Sequence, residues 1–165
     1  AKTSGGATAD QIKWSEYKSE AFGYAVSHPA SWIVKEQAGA GGGPEISISE
    51  PKNLAFVTIS TFFDPSIKSA DAITASIASY KDSLSAKAGT TVTNFKTGSV
   101  SEDGVGGFIT TGEFKISDVP FRFEERGLLA TSGRILIMRA SAVLQAYDMT
   151  TPLMQKFMDS FKASQ

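Results

Sequence analysis

The sequence predicts an α+β fold, an antiparallel β-sheet flanked by helices in an α/β/α sandwich. Three observations lead there. Apolar residues alternate with a period of two over most of the chain. Two segments switch to a spacing of three to four, and the joints between alternating segments are short and rich in turn residues. Strands joined by tight turns pair antiparallel, and helices with one apolar stripe must pack on the sheet they make. The chain has 165 residues, 41% of them hydrophobic, with 11 Phe, 4 Tyr and 2 Trp. That length suits one domain and buries a core without covalent staples.

The elements follow in order. Ala1 to Asp10 is small and polar and cannot bury anything, so residues 1–11 read as a flexible tether and 12–165 as the domain. A start at Ala1 fits either a removed leader or a trimmed chain. Ile12 to Tyr17 and Phe22 to Ser27 alternate as strands around Ser19-Glu20-Ala21, and Pro29 stops the second. Ser31-Trp32-Ile33-Val34 opens a third, and the run Ala38-Gly39-Ala40-Gly41-Gly42-Gly43-Pro44 must be a loop. Glu45 to Ser49 and Leu54 to Phe63 are two more strands, joined by Pro51-Lys52-Asn53. Ala70, Ile73, Ile77, Tyr80 and Leu84 form one stripe on a helix, with Ser69 as N-cap and Asp71 in the first turn.

Period two then returns near 91–100, 105–116, 120–130 and 134–143. The turns are Glu102-Asp103-Gly104, Ser117-Asp118-Val119 and Ser132-Gly133. A last helix is expected from Thr151 as N-cap, with Pro152 at the first helical position and Leu153, Met154, Phe157, Met158 and Phe161 on its apolar face. The expected order is thus five strands, a helix, four strands and a helix.

Composition excludes several classes of function. Sixteen basic and 17 acidic side chains leave a net charge of -1, which gives no footprint for nucleic acid. Absence of cysteine removes thiol catalysis, disulfides and thiolate metal sites, and the single His28 removes sites built from several imidazoles. No apolar run approaches the roughly 18 residues that span a bilayer. The expectation from composition is a compact soluble domain without a cofactor, not an enzyme.

Register singles out one candidate surface. A two-residue turn at Ser132-Gly133 would place Thr131 opposite Arg134 and Arg126 opposite Arg139. A turn over Ser117 to Pro120 would place Glu113 opposite Glu124. Alternation then assigns Phe114, Ile116, Phe121, Phe123, Leu129, Leu136 and Met138 to a core face. The opposite face collects Glu113, Lys115, Arg122, Glu124, Arg126 and Arg139, with Leu128, Ile135 and Ile137 near the hairpin tip under a helix. Such a mosaic is either a solvated sheet face with ion pairs, each contributing about 1 kcal/mol at most, or a surface whose arginine forks take carboxylates of a partner. Glu125 is left as the one carboxylate on the apolar face, needing a partner or an edge.

The chain resembles the PsbP family, within the Mog/PsbP-like fold. Two elements carry the likeness: Phe22-Gly23-Tyr24-Ala25-Val26-Ser27-His28-Pro29-Ala30-Ser31-Trp32, an aromatic-glycine strand followed by Pro-x-x-Trp, and the closing hairpin at Ser132-Gly133 with its helix ending in Asp159-Ser160-Phe161. The likeness covers Ile12 to Phe161. It implies a sheet flanked by helices and a non-enzymatic role outside the cytoplasm, in a secreted or membrane-tethered lipoprotein that acts through protein contacts. In a photosynthetic source it implies an extrinsic or assembly role at photosystem II in the thylakoid lumen. Some family members bind metal ions; here His28 stands alone and no Asp-x-Asp-x-Asp-Gly loop exists.

Four further readings remain. His28 is the only imidazole able to serve a hydrolase as base, but it precedes Pro29 at a strand end and no Gly-x-Ser-x-Gly elbow exists. Gly39 to Gly43 is followed by Pro44-Glu45, not by the Lys and Ser or Thr of a phosphate loop. Phe62 and Phe63 end a strand together, so one of them must face solvent at the Asp64-Pro65 turn. The rival function is a carrier holding a small apolar ligand between sheet and helix beside the Gly-rich loop. A closed aromatic core favours the protein-contact module, and a cavity of several hundred cubic ångströms favours the carrier. Either protein is expected to be a monomer.

Overall fold

In a computed structural model, residues 12–38 and 44–163 are described. The expected tether at 1–11 and the loop Gly39 to Gly43 lie outside them. The strands are β1 (Trp14–Ser19), β2 (Tyr24–Pro29), β3 (Ile33–Ala38), β4 (Pro44–Ser49) and β5 (Ala55–Phe63), followed by helix α1 (Ala70–Ala86). Then come β6 (Thr91–Thr97), β7 (Val105–Ile116), β8 (Val119–Ala130), β9 (Arg134–Val143), helix α2 (Tyr147–Asp159) and the short β10 (Lys162–Ala163).

All strand pairs are antiparallel, in two sheets rather than the single nine-stranded meander that hairpin order suggests. Seven strands run in the order β3-β4-β5-β9-β8-β7-β6, and β1-β2-β10 form a second, three-stranded sheet. Alternation identifies β1 and β2 as strands but cannot say which sheet they join. Their apolar side chains, Tyr24 and Val26, pack on the large sheet instead of extending it.

One face of the large sheet is sealed over β4, β5 and β9. Ile46, Ile48, Val57, Ile59, Leu136 and Met138 are buried there against Trp32 and the α2 residues Met154, Phe157 and Met158. Ser160, at the end of α2, accepts a hydrogen bond from the Ser27 backbone N–H at 2.8 Å and so ties the helix to β2. On the opposite face α1 lays Ile73 and Ile77 over Phe108 and Leu129. Its start is as expected: Ser69 caps it, accepting from the Ala72 N–H at 3.2 Å. Close approach of α1 depends on glycine in the sheet beneath. A Cβ at Gly127 would lie 2.1 Å from the Phe108 ring, so the ring can lie flat only over bare backbone.

Three expectations are corrected. The β7–β8 turn has two residues, Ser117 (φ 48°) and Asp118 (φ 66°), so Ile116 pairs with Val119. Both positive φ values belong to the primed hairpin turns that follow strand twist, and short polar side chains tolerate them. That two-residue slip keeps the faces but puts Glu113 opposite Arg122, not Glu124. The β8–β9 turn has three residues, Thr131 to Gly133, closed by the Gly133 N–H donating to Ala130 O at 2.9 Å with Gly133 at φ 88°. Its extra residue shifts the pairing by one, so Arg139 faces Glu125 instead of Arg126, and β9 turns over relative to β8. Leu136 and Met138 therefore lie on the face opposite Phe121, Phe123 and Leu129. Finally, α2 begins at Tyr147, and Pro152 lies inside it. Thr150 and Thr151 hydroxyls donate to the Tyr147 carbonyl at 3.0 and 2.7 Å, which supports the turn ahead of the proline.

Candidate functional site

Five of the six predicted site residues stay together. On β7 and β8, Glu113, Lys115, Arg122, Glu124 and Arg126 share the face that α2 covers, at the end the helix leaves open. Arg122 Nη2 donates to Glu113 Oε1 at 3.2 Å, with both side chains 41% exposed. Its guanidinium lies over the Tyr147 ring, 5.1 Å from the centroid. Arg126 bridges Glu124 at 3.3 Å and Asp159 of α2 at 3.1 Å, so it fastens helix to sheet. Lys115 is exposed next to the turn.

Arg139 does not belong with them. It lies on the other face, where Nε donates to Glu125 Oε2 at 2.7 Å and the guanidinium stacks on Phe123 at 4.3 Å. Glu125, 2% exposed, also accepts a hydrogen bond from the Tyr80 hydroxyl of α1. Burial and the neighbouring Glu125 carboxylate raise the Tyr80 phenol well above its ordinary range. The expected partner for Glu125 is therefore the cross-strand Arg139, and a tyrosine from the helix completes its shell.

The imidazole of His28 is buried and donates from Nδ1 to the Pro29 carbonyl at 2.8 Å. Among the described residues it makes no hydrogen bond to a hydroxyl or carboxylate, so no triad forms around it. No three His, Asp or Glu side chains gather as a metal site among the described residues, and no helix there is long and apolar enough to cross a membrane.

A second site lies between sheet and helix, where the carrier reading expects its ligand, but its lining residues are not legible in the sequence. Helix α1 leans toward β6 and β7 and leaves the sheet beside it uncovered, which opens a cleft of about 530 Å³. Its floor is Phe108, Leu129, Ile135 and Ile137, with Ile77 and Tyr80 on the helix side. Phe62, Phe63 and Asp64 stand at its mouth. Phe63 is 72% exposed and Phe62 lines the cleft, which resolves the Phe62-Phe63 pair as expected. The Asp64 carboxylate is held below the usual carboxylate range by the hydroxyl and backbone N–H of Ser66. In sequence α1 shows only its apolar stripe, and how far that stripe reaches across the sheet is fixed by tertiary packing.

No family model matches the chain, and no curated protein matches it in sequence. Solved structures do match. Cyanobacterial PsbP (CyanoP) from Synechocystis sp. PCC 6803 superposes with a TM-score of 0.66 at 15% identity, over 93% of this chain and 94% of that one. PA94 of Pseudomonas aeruginosa, a protein of unknown function described as a putative regulator, gives 0.55 at 11% identity, over 92% and 98%. LpqN of Mycobacterium tuberculosis, described as involved in cell envelope biogenesis, gives 0.51 at 11% identity, over 93% and 92%. Likeness at these identities is a likeness of fold. The chain has the PsbP-like fold.

Proposed function

We propose that this PsbP-like chain is a non-catalytic module working outside the cytoplasm, a monomer in which residues 12–165 form the domain and residues 1–11 tether it. It acts by holding a protein partner on the charged face of β7 and β8. The observation that carries this reading is Arg122. Its guanidinium rests on Tyr147 and spends one nitrogen on Glu113. Its other two nitrogens make no hydrogen bond among the described residues, which leaves donors for an incoming carboxylate. Arginine and tyrosine held rigidly side by side are the residue types that dominate binding energy at interfaces. Glu113, Lys115, Glu124 and Arg126 surround the pair and would set orientation. The likeness to CyanoP and to the cell-envelope protein LpqN supports the location, and a photosystem II role is the form this takes in a photosynthetic source.

The test is charge reversal. Arg122→Glu should melt within a few degrees of the parent and lose capture of a partner from native membranes, while Lys35→Glu, on an edge strand of the same sheet, keeps it. Equal capture by the parent and Arg122→Glu overturns the reading. The carrier is the second reading, favoured by the cleft under α1, whose volume of about 530 Å³ lies in the range of small-molecule sites, roughly 300–1,000 Å³.

A further inference from the structure

The floor of the cleft is unusual for its place in the sheet. Strand β9 is central, flanked by β5 and β8, and on one face its Leu136 and Met138 are 1% and 0% exposed. On the other face Ile135 and Ile137 are only partly buried and line the cleft beside the helix. Large aliphatic side chains at the centre of a sheet are normally sealed, and leaving them wet forgoes stability. The opposite rim is a row of hydroxyls. Ser76, Ser79 and Ser83 lie on one side of α1 and line the cleft over about 10 Å, at a rise of about 1.5 Å per residue. None of the three hydroxyls is hydrogen-bonded among the described residues, whereas Thr74 on the same helix donates back to the Ala70 carbonyl.

Charge narrows the occupant. Among the described residues no lysine or arginine lines the cleft, and the one acidic side chain there is Asp64 at the mouth. A carboxylate or phosphate head would meet no cation there and would face an anion. We propose that the cleft binds an uncharged amphiphile with a single aliphatic chain, the chain lying on Ile135, Ile137 and Leu129 and a hydroxylated head bonded along Ser76, Ser79 and Ser83. This rests on the carrier reading and is independent of the Arg122 surface.

The experiment is displacement of the uncharged fluorescent dye N-phenyl-1-naphthylamine from the purified chain, comparing monolauroylglycerol with laurate below their micelle concentrations at neutral pH. The two share one chain and differ in head charge. Saturable binding of dye and monoacylglycerol is expected, with laurate weaker by about tenfold or more. Ser79→Trp, at an exposed position that preserves the fold, should abolish binding at an unchanged melting temperature. Ser83→Lys, which adds a cation to the rim, should raise laurate affinity. Absence of saturable binding by either amphiphile overturns the carrier reading itself. Laurate binding as well as the glyceride, or no gain from Ser83→Lys, overturns the ligand class and leaves the carrier standing. Binding unaffected by Ser79→Trp puts the site elsewhere and overturns the assignment.

Discussion

Two arginines that the sequence places in one patch should behave in opposite ways. Among the described residues, Arg139→Met removes the one cation bonded to Glu125, a carboxylate 2% exposed, and leaves it with the Tyr80 hydroxyl. Breaking a buried pair from one side costs about 3–5 kcal/mol. Arg122→Met leaves Glu113 with its side chain 41% exposed, and losing an exposed pair costs about 0.2–1 kcal/mol. For a domain of this size each kcal/mol moves the melting temperature by about 2–4 °C, so Arg139→Met should fall by roughly 6–20 °C and Arg122→Met by less than about 4 °C. The assay is thermal and urea unfolding of both variants, together with Glu125→Gln and the double variant Glu125→Gln/Arg139→Met. Removing both charges should recover much of the loss, since no uncompensated carboxylate then remains inside. Equal losses for the two arginine variants, or a double variant as unstable as the sum of its singles, would refute the assignment of Arg139 to the structural face.

All four tyrosines, Tyr17, Tyr24, Tyr80 and Tyr147, are raised above the ordinary value of 10.0, first by burial. Tyr17, which also donates to Glu36 at 2.7 Å, is pushed up to about 12. A raised phenol binds its proton more tightly in the folded state, so these groups support the fold fully below pH 10 and less as pH climbs past it. Absorbance at the tyrosinate band should therefore rise at higher pH in the folded protein than in the unfolded chain, and equal titration of the two contradicts this. Gly127→Ala should destabilise by about 1–3 kcal/mol in urea unfolding, because Phe108 is stacked on Phe95 and cannot yield. Adding Phe108→Leu should restore part of that loss, and a neutral Gly127→Ala contradicts the packing. Arg126→Met should lower the melting temperature by no more than about 8 °C, since it loses two pairs, to half-buried Glu124 and exposed Asp159, each contributing about 1 kcal/mol at most.

Much of this fold is written in local pattern. The α1 stripe from Ile73 to Leu84 and its Ser69 cap lie where periodicity and capping chemistry put them. So do the paired strands on either side of the Ser117-Asp118 and Gly133 turns. What pattern could not supply was parity. Ser132-Gly133 reads equally as the tip of a two-residue turn or the end of a three-residue one, and only the Gly133 N–H to Ala130 bond separates them. A one-residue difference turns β9 over, which is why alternation alone groups Arg139 with Arg122 and Leu136 with Phe123. The start of α2 was hidden because Pro152 fits a first helical position best, while side-chain bonds from Thr150 and Thr151 carry the turn before it. The cleft was hidden for a different reason. It is a gap between elements, set by the tilt of α1 against β6 and β7, and no single segment encodes a gap.

The sheet is sealed on one face over β4, β5 and β9 and left partly open on the other beside α1. Paramagnetic relaxation of isoleucine methyl groups by a soluble, uncharged agent tests this directly. Ile135 and Ile137 should relax strongly, while Ile48 and Ile59, both 0% exposed on the opposite face, should be untouched. If Ile135 and Ile137 are as protected as Ile59, the cleft is closed in solution and the binding account built on it fails.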